Sequence, residues 1–349
     1  MPLKDAAERP VIVLGAGLAG LAASRELRRT GVPHRIVERS ERVGGLAATV
    51  DEAGYRFDCT GHLLHLRSEA IKDWVFEALP QPNWLEIQRR SGVYSHGVVS
   101  KYPFQSNAFG LPPEVAFACV RDFVEAHFAT SPRPVATFED FCLRHFGRAI
   151  SDAFMVPYNE KLLGAHPREI DASWCDRFVP KPALDDVLRG AFGLVSPALG
   201  YNASFFYPRL GMGAFAQAIA ERAGVVELGH EVRAVDVAER RITIGDETVP
   251  YSSLISTLPL DELVARMRGA PDDVVAAGRA LRKTHLYYLD VALNTPCERP
   301  LHWLYVPEPR FPFYRVGCYS HFSAAMAPPG KASLYVELAS REEPVLARL

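Results

Sequence analysis

The order of apolar and polar positions predicts alternating strands and helices at the start of the chain. Residues 11–14 are a short run of Val, Ile and Leu, and an Ala-, Leu- and Arg-rich segment with helical spacing follows to about residue 30. Residues 34–38 then form a second short run with β character. A strand, a helix and a second strand in this order favour a β-α-β unit with a parallel sheet.

The pattern changes twice further along. Helical periodicity dominates residues 112–190, and β patterns return from residue 225 onward. We therefore predict an α/β fold with a discontinuous Rossmann-like domain, a helical insertion and a mixed-sheet domain. The expected bounds are 1–67 with 210–262 for the Rossmann-like domain, 68–209 for the mostly helical, substrate-side region, and 263–349 for the β-rich substrate domain.

Charge and hydropathy exclude several classes of partner. Across 349 residues, Lys and Arg number 39 and Asp and Glu number 41, so the formal net charge is −2. A nearly neutral chain has no general attraction for nucleic acid or for an anionic membrane. No apolar run reaches the roughly 18 residues of a membrane-spanning helix, and the first ten residues lack the apolar core of a signal peptide. We expect a cytoplasmic protein with no nucleic-acid or membrane partner.

The cysteines carry no metal-binding spacing. There are six of them, and the two that are closest in sequence are Cys297 and Cys318. Without a Cys-x-x-Cys pair, the sequence predicts neither a zinc site nor a dithiol redox motif, and we expect no metal. Scattered thiols suit a reducing compartment.

A glycine motif follows the first predicted strand. Gly15, Gly17 and Gly20 have the spacing G-x-G-x-x-G, and Glu38 ends the second predicted strand. Such glycines let backbone N–H groups and a helix N-terminus approach a pyrophosphate, and an acidic residue at that position accepts hydrogen bonds from a ribose. The glycine pattern alone also fits a tight structural turn. Together with its strand, helix and acidic residue, it favours a dinucleotide site.

A second glycine segment indicates which dinucleotide. Arg39-Ser-Glu-Arg-Val-Gly44-Gly45-Leu46-Ala-Ala-Thr49 resembles the R-x-G-G-x-x-x-[ST] segment of a large group of FAD proteins. That group includes amine oxidases, protoporphyrinogen oxidases, phytoene desaturases and UDP-galactopyranose mutases. The resemblance implies FAD rather than NAD as the cofactor. It implies these cofactor-binding residues: Gly15, Gly17, Gly20, Glu38, Arg39, Gly44, Gly45, Leu46, Gly61, His62 and Val232.

Three further segments resemble the mutase branch of this group. They are Gly61-His62-Leu-Leu-His65, Tyr102-Pro-Phe-Gln105-Ser-Asn, and Phe154-Met-Val-Pro-Tyr158-Asn159-Glu-Lys161. From spacing alone, Phe154 and Tyr158 would be an ordinary core pair on one helix face. The resemblance instead implies a uridine site. With Tyr305 near the diphosphate, the implied substrate residues are Tyr102, Gln105, Phe154, Tyr158, Asn159, Asn202 and Tyr305.

Two arginines complete the implied site. Arg177 follows Trp174, and Arg315 follows Phe313-Tyr314 in a stretch similar to the F-Y-R-A segment of the mutases. Two cations from separate segments suit a pyrophosphate, because guanidinium groups bind phosphate oxygens bidentately. The resemblance implies His62, Arg177 and Arg315 as the catalytic residues, with His62 against the flavin.

The implied activity is the interconversion of the pyranose and furanose forms of a UDP-sugar. In this family, reduced FAD displaces UDP from the sugar through a flavin N5–sugar adduct, so the enzyme is an intramolecular transferase with no net redox change. An external reductant such as NAD(P)H would supply the reduced cofactor. The implied partner is a small molecule, and a homo-oligomer stays open.

Departures from the family pattern keep two alternatives open. Leu163 stands where the mutases usually have tryptophan, and residues 205–212 also resemble protoporphyrinogen oxidases. An FAD-dependent oxidase of the amine or protoporphyrinogen type is therefore the second candidate. The family extends beyond the equivalent of Leu349, so we expect a C-terminal flavin segment to be missing. This favours, as a third candidate, a truncated nucleotide-binding protein without catalytic activity.

Overall fold

In the computed structural model, residues 9–130, 134–194 and 203–341 are described. Most strands there have four or five residues. They are β1 (Val11–Leu14), β2 (His34–Val37), β3 (Thr49–Glu52), β4 (Tyr55–Asp58), β5 (Trp84–Gln88), β6 (Ser91–Ser95), β7 (Val98–Lys101), β8 (Ser204–Pro208), β9 (Val226–Glu227), β10 (Val232–Asp236), β11 (Arg241–Ile244), β12 (Glu247–Pro250), β13 (Ser253–Ser256), β14 (Met267–Arg268), β15 (His285–Leu293), β16 (Trp303–Tyr305), β17 (Arg315–Cys318) and β18 (Ala332–Ser340).

The helices concentrate between β7 and β8. In chain order they are α1 (Leu18–Arg29), α2 (Glu69–Ala78), α3 (Pro113–Phe128), α4 (Phe138–Ile150), α5 (Val156–Leu163), α6 (Cys175–Phe178), α7 (Leu184–Ala191), α8 (Met212–Ala223), α9 (Leu260–Arg266), α10 (Asp272–Ala280) and α11 (Tyr319–Phe322). A π-helical turn, Ser151–Met155, joins α4 to α5. None of the described helices combines the length and the apolar character that crossing a membrane requires.

The chain divides into two compact units. Unit 1 extends to Leu85 and resumes over Phe206–Arg282, and unit 2 comprises Glu86–Phe205 and the chain from Lys283 onward. Unit 1 reaches beyond the expected boundary at residue 67, because α2 packs against α8, with Trp74 edge-to-face on Phe215 at 6.4 Å.

Unit 1 is built on a parallel sheet with the strand order β13-β1-β2-β9. Ile12, Val13 and Leu14 of the central strand are fully buried, as expected for a strand covered on both faces. A second sheet, β12-β11-β10-β14, shares a core with β1 and β2. Since β2 and β13 flank β1 on opposite sides, the carboxyl end of β1 is the switch point at which open α/β sheets bind ligands.

Unit 2 contains a six-stranded sheet with the order β15-β18-β17-β16-β6-β7. Its pairs are antiparallel except β16 with β6. The strands β6 and β7 come from the region that the sequence predicts as mostly helical. They pair with each other, and β6 also pairs with β16, more than 200 residues later. The sheet thus joins the two segments of unit 2. In the same unit, α3 packs on α4.

Candidate functional site

The glycines of the first motif differ in what surrounds them. Gly15 has a φ of +93° and donates its N–H to Val37 O at 2.8 Å. A Cβ at Gly20 would lie 1.8 Å from Gly15 O, so Gly20 lets α1 pack against the end of β1. At Gly17, by contrast, the nearest atom to an added Cβ is Gly44 O at 4.0 Å. Packing therefore requires glycine at positions 15 and 20, whereas Gly17 borders open space.

The second glycine segment lies directly on the first. Gly44 has a φ of +105° and donates its N–H to Ala16 O at 2.8 Å. A Cβ at Gly45, whose φ is +55°, would lie 3.2 Å from Gly17 Cα. The two motifs, about 27 residues apart in sequence, therefore form one backbone surface without side chains.

This surface is part of the wall of a cavity of about 650 Å³ in unit 1. Leu18 and Ala19, the first two residues of α1, also line it. The first N–H groups of a helix have no partner inside the helix, and the helix dipole places partial positive charge there. The cavity therefore offers an anion site at its glycine-lined end.

Glu38 is held in place at the carboxyl end of β2. Its carboxylate accepts hydrogen bonds from Ala16 N at 2.8 Å and from Ser40 N at 2.9 Å. A carboxylate has about four lone-pair sites, so two remain beyond these bonds. Because Glu38 also lines the cavity, it fits a role as acceptor for ribose hydroxyls.

Most of the predicted cofactor residues line this cavity of unit 1. Those that line the cavity are Gly15, Gly17, Glu38, Arg39, Gly44, Gly45, Leu46, His62 and Val232; Gly20 and Gly61 do not. His62 follows a turn at Thr60, whose φ is +75°, and its Nδ1 lies 3.3 Å from Thr60 Oγ1. The oxygen of Val232 accepts a hydrogen bond from Arg266 Nε at 2.9 Å.

Other lining residues were not predicted from the sequence. They include Arg42, Thr257, Glu262 and Arg266. Thr257 follows β13, and its Oγ1 donates to Leu14 O at 2.7 Å. The sequence predicts the strand before Thr257, but the strand's place beside β1 depends on long-range pairing.

A second cavity, of about 300 Å³, lies within unit 2. It brings together six of the predicted substrate residues: Tyr102, Gln105, Phe154, Tyr158, Asn159 and Tyr305. The rings of Phe154 and Tyr158 are stacked, with centroids 5.1 Å apart and an interplanar angle of 11°. Tyr305 contacts Tyr158 edge-on at 5.2 Å. Burial raises the pKa of both phenols, so both are protonated at neutral pH.

Gln105, which lines this cavity, carries an unsatisfied polar atom. The side chain is 3% exposed, and its Nε2 donates to Pro180 O at 3.2 Å. Its Oε1 is buried and has no hydrogen-bond partner within the described residues. A buried acceptor without a partner costs about 1–3 kcal/mol. A ligand N–H would supply the missing donor.

The predicted arginines lie outside the lining of this cavity. Arg177 is exposed on α6, 5.3 Å from the ring of the lining residue Phe178. Arg315 pairs in register with Tyr305 across β16 and β17, and its guanidinium binds Glu337. Asn202 lies outside the described residues.

Arg89 is a cation that sequence reasoning missed. Its guanidinium lies over the ring of Tyr102 at 4.6 Å. Its Nη1 is buried without an acceptor in the part of the chain that the structure describes. No motif marks this residue in the sequence, because only the fold places it against Tyr102.

A parallel β-α-β unit with a glycine-lined cavity at the N-terminus of its helix defines a dinucleotide-binding protein. The open space at Gly17 and the first turn of α1, which has no side-chain cap at Gly17, fit the diphosphate of such a cofactor. The chain belongs to the family of flavin containing amine oxidoreductases, which matches residues 18–292, and its cofactor is FAD. The prediction of FAD and of an α/β fold of this type is thereby confirmed.

Within this family, the chain resembles proteins of more than one activity. It is 29% identical to a reduced UDP-galactopyranose mutase in a crystal structure, with a TM-score of 0.89 over 95% of this chain and 74% of that one. A probable UDP-galactopyranose mutase of Klebsiella pneumoniae is 25% identical over 200 residues, 55% of this chain and 50% of that protein. A pseudooxynicotine dehydrogenase of a Pseudomonas species is 25% identical over 308 residues, 80% of this chain and 58% of that protein. The chain thus spans about half the length of these two curated relatives.

Proposed function

We propose that the protein is a flavin-dependent mutase that interconverts the pyranose and furanose forms of a UDP-sugar. The observation that carries the proposal is Gln105 in the wall of an aromatic cavity, with an Oε1 that has no partner among the described residues. Uracil has a flat ring and an imide N–H, and it would satisfy both features. The likeness to a solved UDP-galactopyranose mutase over 95% of the chain supports the same substrate class.

In this proposal, the cavity of unit 2 binds the uridine. Tyr158, stacked on Phe154, would offer a base its other face, and Gln105 Oε1 would accept a hydrogen bond from the base. Arg89 lies behind the lining residue Tyr102, and its Nη1, which has no acceptor among the described residues, would donate to a phosphate oxygen. Glu337 already accepts hydrogen bonds from two N–H groups of Arg315, so we do not place Arg315 on the phosphate. It pairs in register with Tyr305, and in this proposal it positions Tyr305.

The cavity of unit 1 would hold the FAD. The glycine surface and the first turn of α1 would bind its diphosphate, Glu38 would bind the ribose, and His62 would lie against the flavin. When bound in its reduced form, FAD supplies the nucleophile for exchange at the sugar carbon. The chain itself supplies binding, orientation and charge, as is usual for cofactor enzymes.

Base selectivity tests the proposal. We expect UDP to bind more tightly than CDP, because the unprotonated N3 of cytosine would face the acceptor Gln105 Oε1. Gln105→Leu should weaken UDP binding by about 10- to 100-fold and abolish the preference for uracil. Gln88→Leu, at an exposed glutamine of β5, is the matched control and should change neither. Equal affinity for UDP and CDP in the wild-type protein would contradict the uridine site.

Turnover tests the reaction itself. Protein with dithionite-reduced FAD should interconvert UDP-galactopyranose and UDP-galactofuranose, and oxidised protein should be nearly inactive. The membership of an amine oxidoreductase family favours amine oxidation as the second candidate. Hydrogen peroxide formation from an amine, without UDP-sugar turnover, would support that candidate and exclude the mutase.

A further inference from the structure

Two cysteines and a histidine that belong to neither cavity meet in unit 2. Cys318 ends β17, His321 lies in α11, and Cys297 lies in the loop after β15. The two Sγ atoms and a ring nitrogen of His321 all lie within 4.8 Å of one another. Cys318 is buried, and Cys297 and His321 are half-buried. The fold therefore brings together three metal-ligating groups from two segments of the chain, the loop after β15 and the junction of β17 with α11.

The ring contacts of His321 favour Nε2 as the nitrogen that would bind a metal. Nδ1 lies 2.6 Å from Leu301 O, which can only accept, so the tautomer with the proton on Nδ1 satisfies the shorter of the two ring contacts. In that tautomer Nε2 carries the lone pair that a metal binds, and its contact with Cys297 O, at 3.3 Å, is the longer of the two. A histidine whose second nitrogen donates to a backbone carbonyl is the usual arrangement at metal sites.

Each of the two thiols has one long contact with an oxygen atom. Cys297 Sγ lies 3.8 Å from Arg299 O, and Cys318 Sγ lies 3.8 Å from Ser320 Oγ. Cys318 and His321 are also three residues apart, a separation common in zinc ligand pairs. Two sulfur ligands and one imidazole select Zn²⁺ over Mg²⁺ or Ca²⁺, which prefer oxygen ligands.

We propose that Cys297, Cys318 and His321 form a Zn²⁺ site, with both thiolates and His321 Nε2 as ligands and a water molecule in the fourth position. Binding displaces the two thiol protons to solvent. The ion would tie the loop that holds Cys297 to the junction of β17 and α11. The sequence predicts no metal here, because the two cysteines are distant in the chain and the third ligand is not a cysteine.

Metal titration tests the proposal independently of the mutase activity. The full chain, reduced and desalted, should bind one equivalent of Zn²⁺ in competition with a chromogenic chelator. Loss of a residue behind a ligand costs 10- to 100-fold in affinity, so loss of a ligand in Cys297→Ser or His321→Ala should cost at least about 100-fold. Cys119→Ala, at a buried cysteine outside the cluster, should bind Zn²⁺ like the wild-type protein. Equal affinity in the wild-type protein and the ligand variants would overturn the site.

Co²⁺ provides a measurement on the wild-type protein alone, in case a variant does not fold. Co²⁺ should give a thiolate-to-metal charge-transfer band and the visible bands of tetrahedral coordination, and one equivalent of Zn²⁺ should remove both. Absence of the charge-transfer band in protein whose thiols are shown to be reduced would overturn the proposal. Recovery of Cys297 and Cys318 as a disulfide that persists under reductant, with no Co²⁺ bound, would overturn it as well.

Discussion

Arg315 donates two hydrogen bonds to the carboxylate of Glu337, from Nε at 2.6 Å and from Nη2 at 2.8 Å. The two residues face each other in register on β17 and β18, and Glu337 is completely buried. The rings of Tyr314 and Tyr335 lie 6.0 and 5.8 Å from the guanidinium. Arg315 therefore neutralises a buried carboxylate within the sheet, whatever it contributes to a substrate.

Replacing this arginine should destabilise the fold. Arg315→Met leaves the carboxylate of Glu337 buried without its cation, which costs about 3–5 kcal/mol. The double variant with Glu337→Gln removes the stranded charge and should recover much of that loss. Thermal unfolding of the wild-type protein, the single variant and the double variant compares their stabilities. Equal stability of Arg315→Met and the wild-type protein would contradict the structural role of the pair.

The glycine motifs show what sequence can predict about the cofactor site. Gly15, Gly17 and Gly20 act within one β-α turn, so local spacing predicts both the turn and the ligand class. The contact of Gly45 with Gly17 follows from the same short segment of chain. Thr257, in contrast, enters the cavity wall through a strand that pairs with β1 more than 200 residues away. Local patterns do not determine that pairing.

Alanine substitutions at Gly17 and Gly20 should have different effects on cofactor binding and on folding. Gly17 has a φ of −70° and room for a Cβ, so Gly17→Ala should fold normally but obstruct the diphosphate. We expect its FAD content to fall about tenfold or more, with little change in the unfolding temperature of the cofactor-free protein. Gly20→Ala places a Cβ against Gly15 O and should lower both the FAD content and the unfolding temperature. FAD release and thermal unfolding are the measurements. A fully FAD-loaded Gly17→Ala protein would contradict the assignment.

The substrate-side residues show where sequence reasoning stops. Tyr102, Phe154 and Tyr158 meet in one cavity, in agreement with the grouping that the family resemblance implies. The sequence gives no sign of the partner of Arg315, because Glu337 reaches it through the register of β17 and β18. Cys297 and His321 meet for a similar reason, since a loop and a short helix bring them together.

Lys161 belongs to a segment that resembles the mutases, but its contacts indicate that it stabilises the fold and does not bind the substrate. Its Nζ donates to Val306 O at 2.8 Å, to Glu308 O at 2.6 Å and to Phe313 O at 3.2 Å, which uses all three N–H groups. Lys161→Met leaves these carbonyls without the donor and should destabilise the protein by about 1–3 kcal/mol.

An exposed lysine provides the control for this prediction. Lys181 pairs with Asp176 at the surface, so Lys181→Met should change stability by less than about 0.5 kcal/mol. Urea unfolding followed by tryptophan fluorescence compares the variants. A larger loss in Lys181→Met than in Lys161→Met would argue against the structural role of Lys161.

The ion pair between Arg35 and Glu227 predicts a specific dependence of stability on pH. Arg35 donates to the Glu227 carboxylate at 2.8 and 2.7 Å and thereby links β2 to the edge strand β9. The Arg35 guanidinium lowers the pKa of Glu227 below its ordinary value of 4.5. Near pH 4.5 and just below, the unfolded chain therefore binds more protons at this position than the folded protein does. The stabilisation by this pair is complete above pH 4.5 and is lost as the pH falls through the lower folded pKa.

Glu227→Gln isolates this dependence. At neutral pH the variant should be less stable than the wild-type protein by about 0.5–1 kcal/mol, since both side chains are partly exposed. The difference should shrink as the pH falls below about 4.5, because protonation then weakens the wild-type pair too. Glu247→Gln is the matched control, since Glu247 is mostly exposed and lies 3.4 Å from the same guanidinium. Chemical denaturation of the three proteins across this pH range is the measurement. A difference between Glu227→Gln and the wild-type protein that stays constant across the range would show that the pair is not linked to the proton.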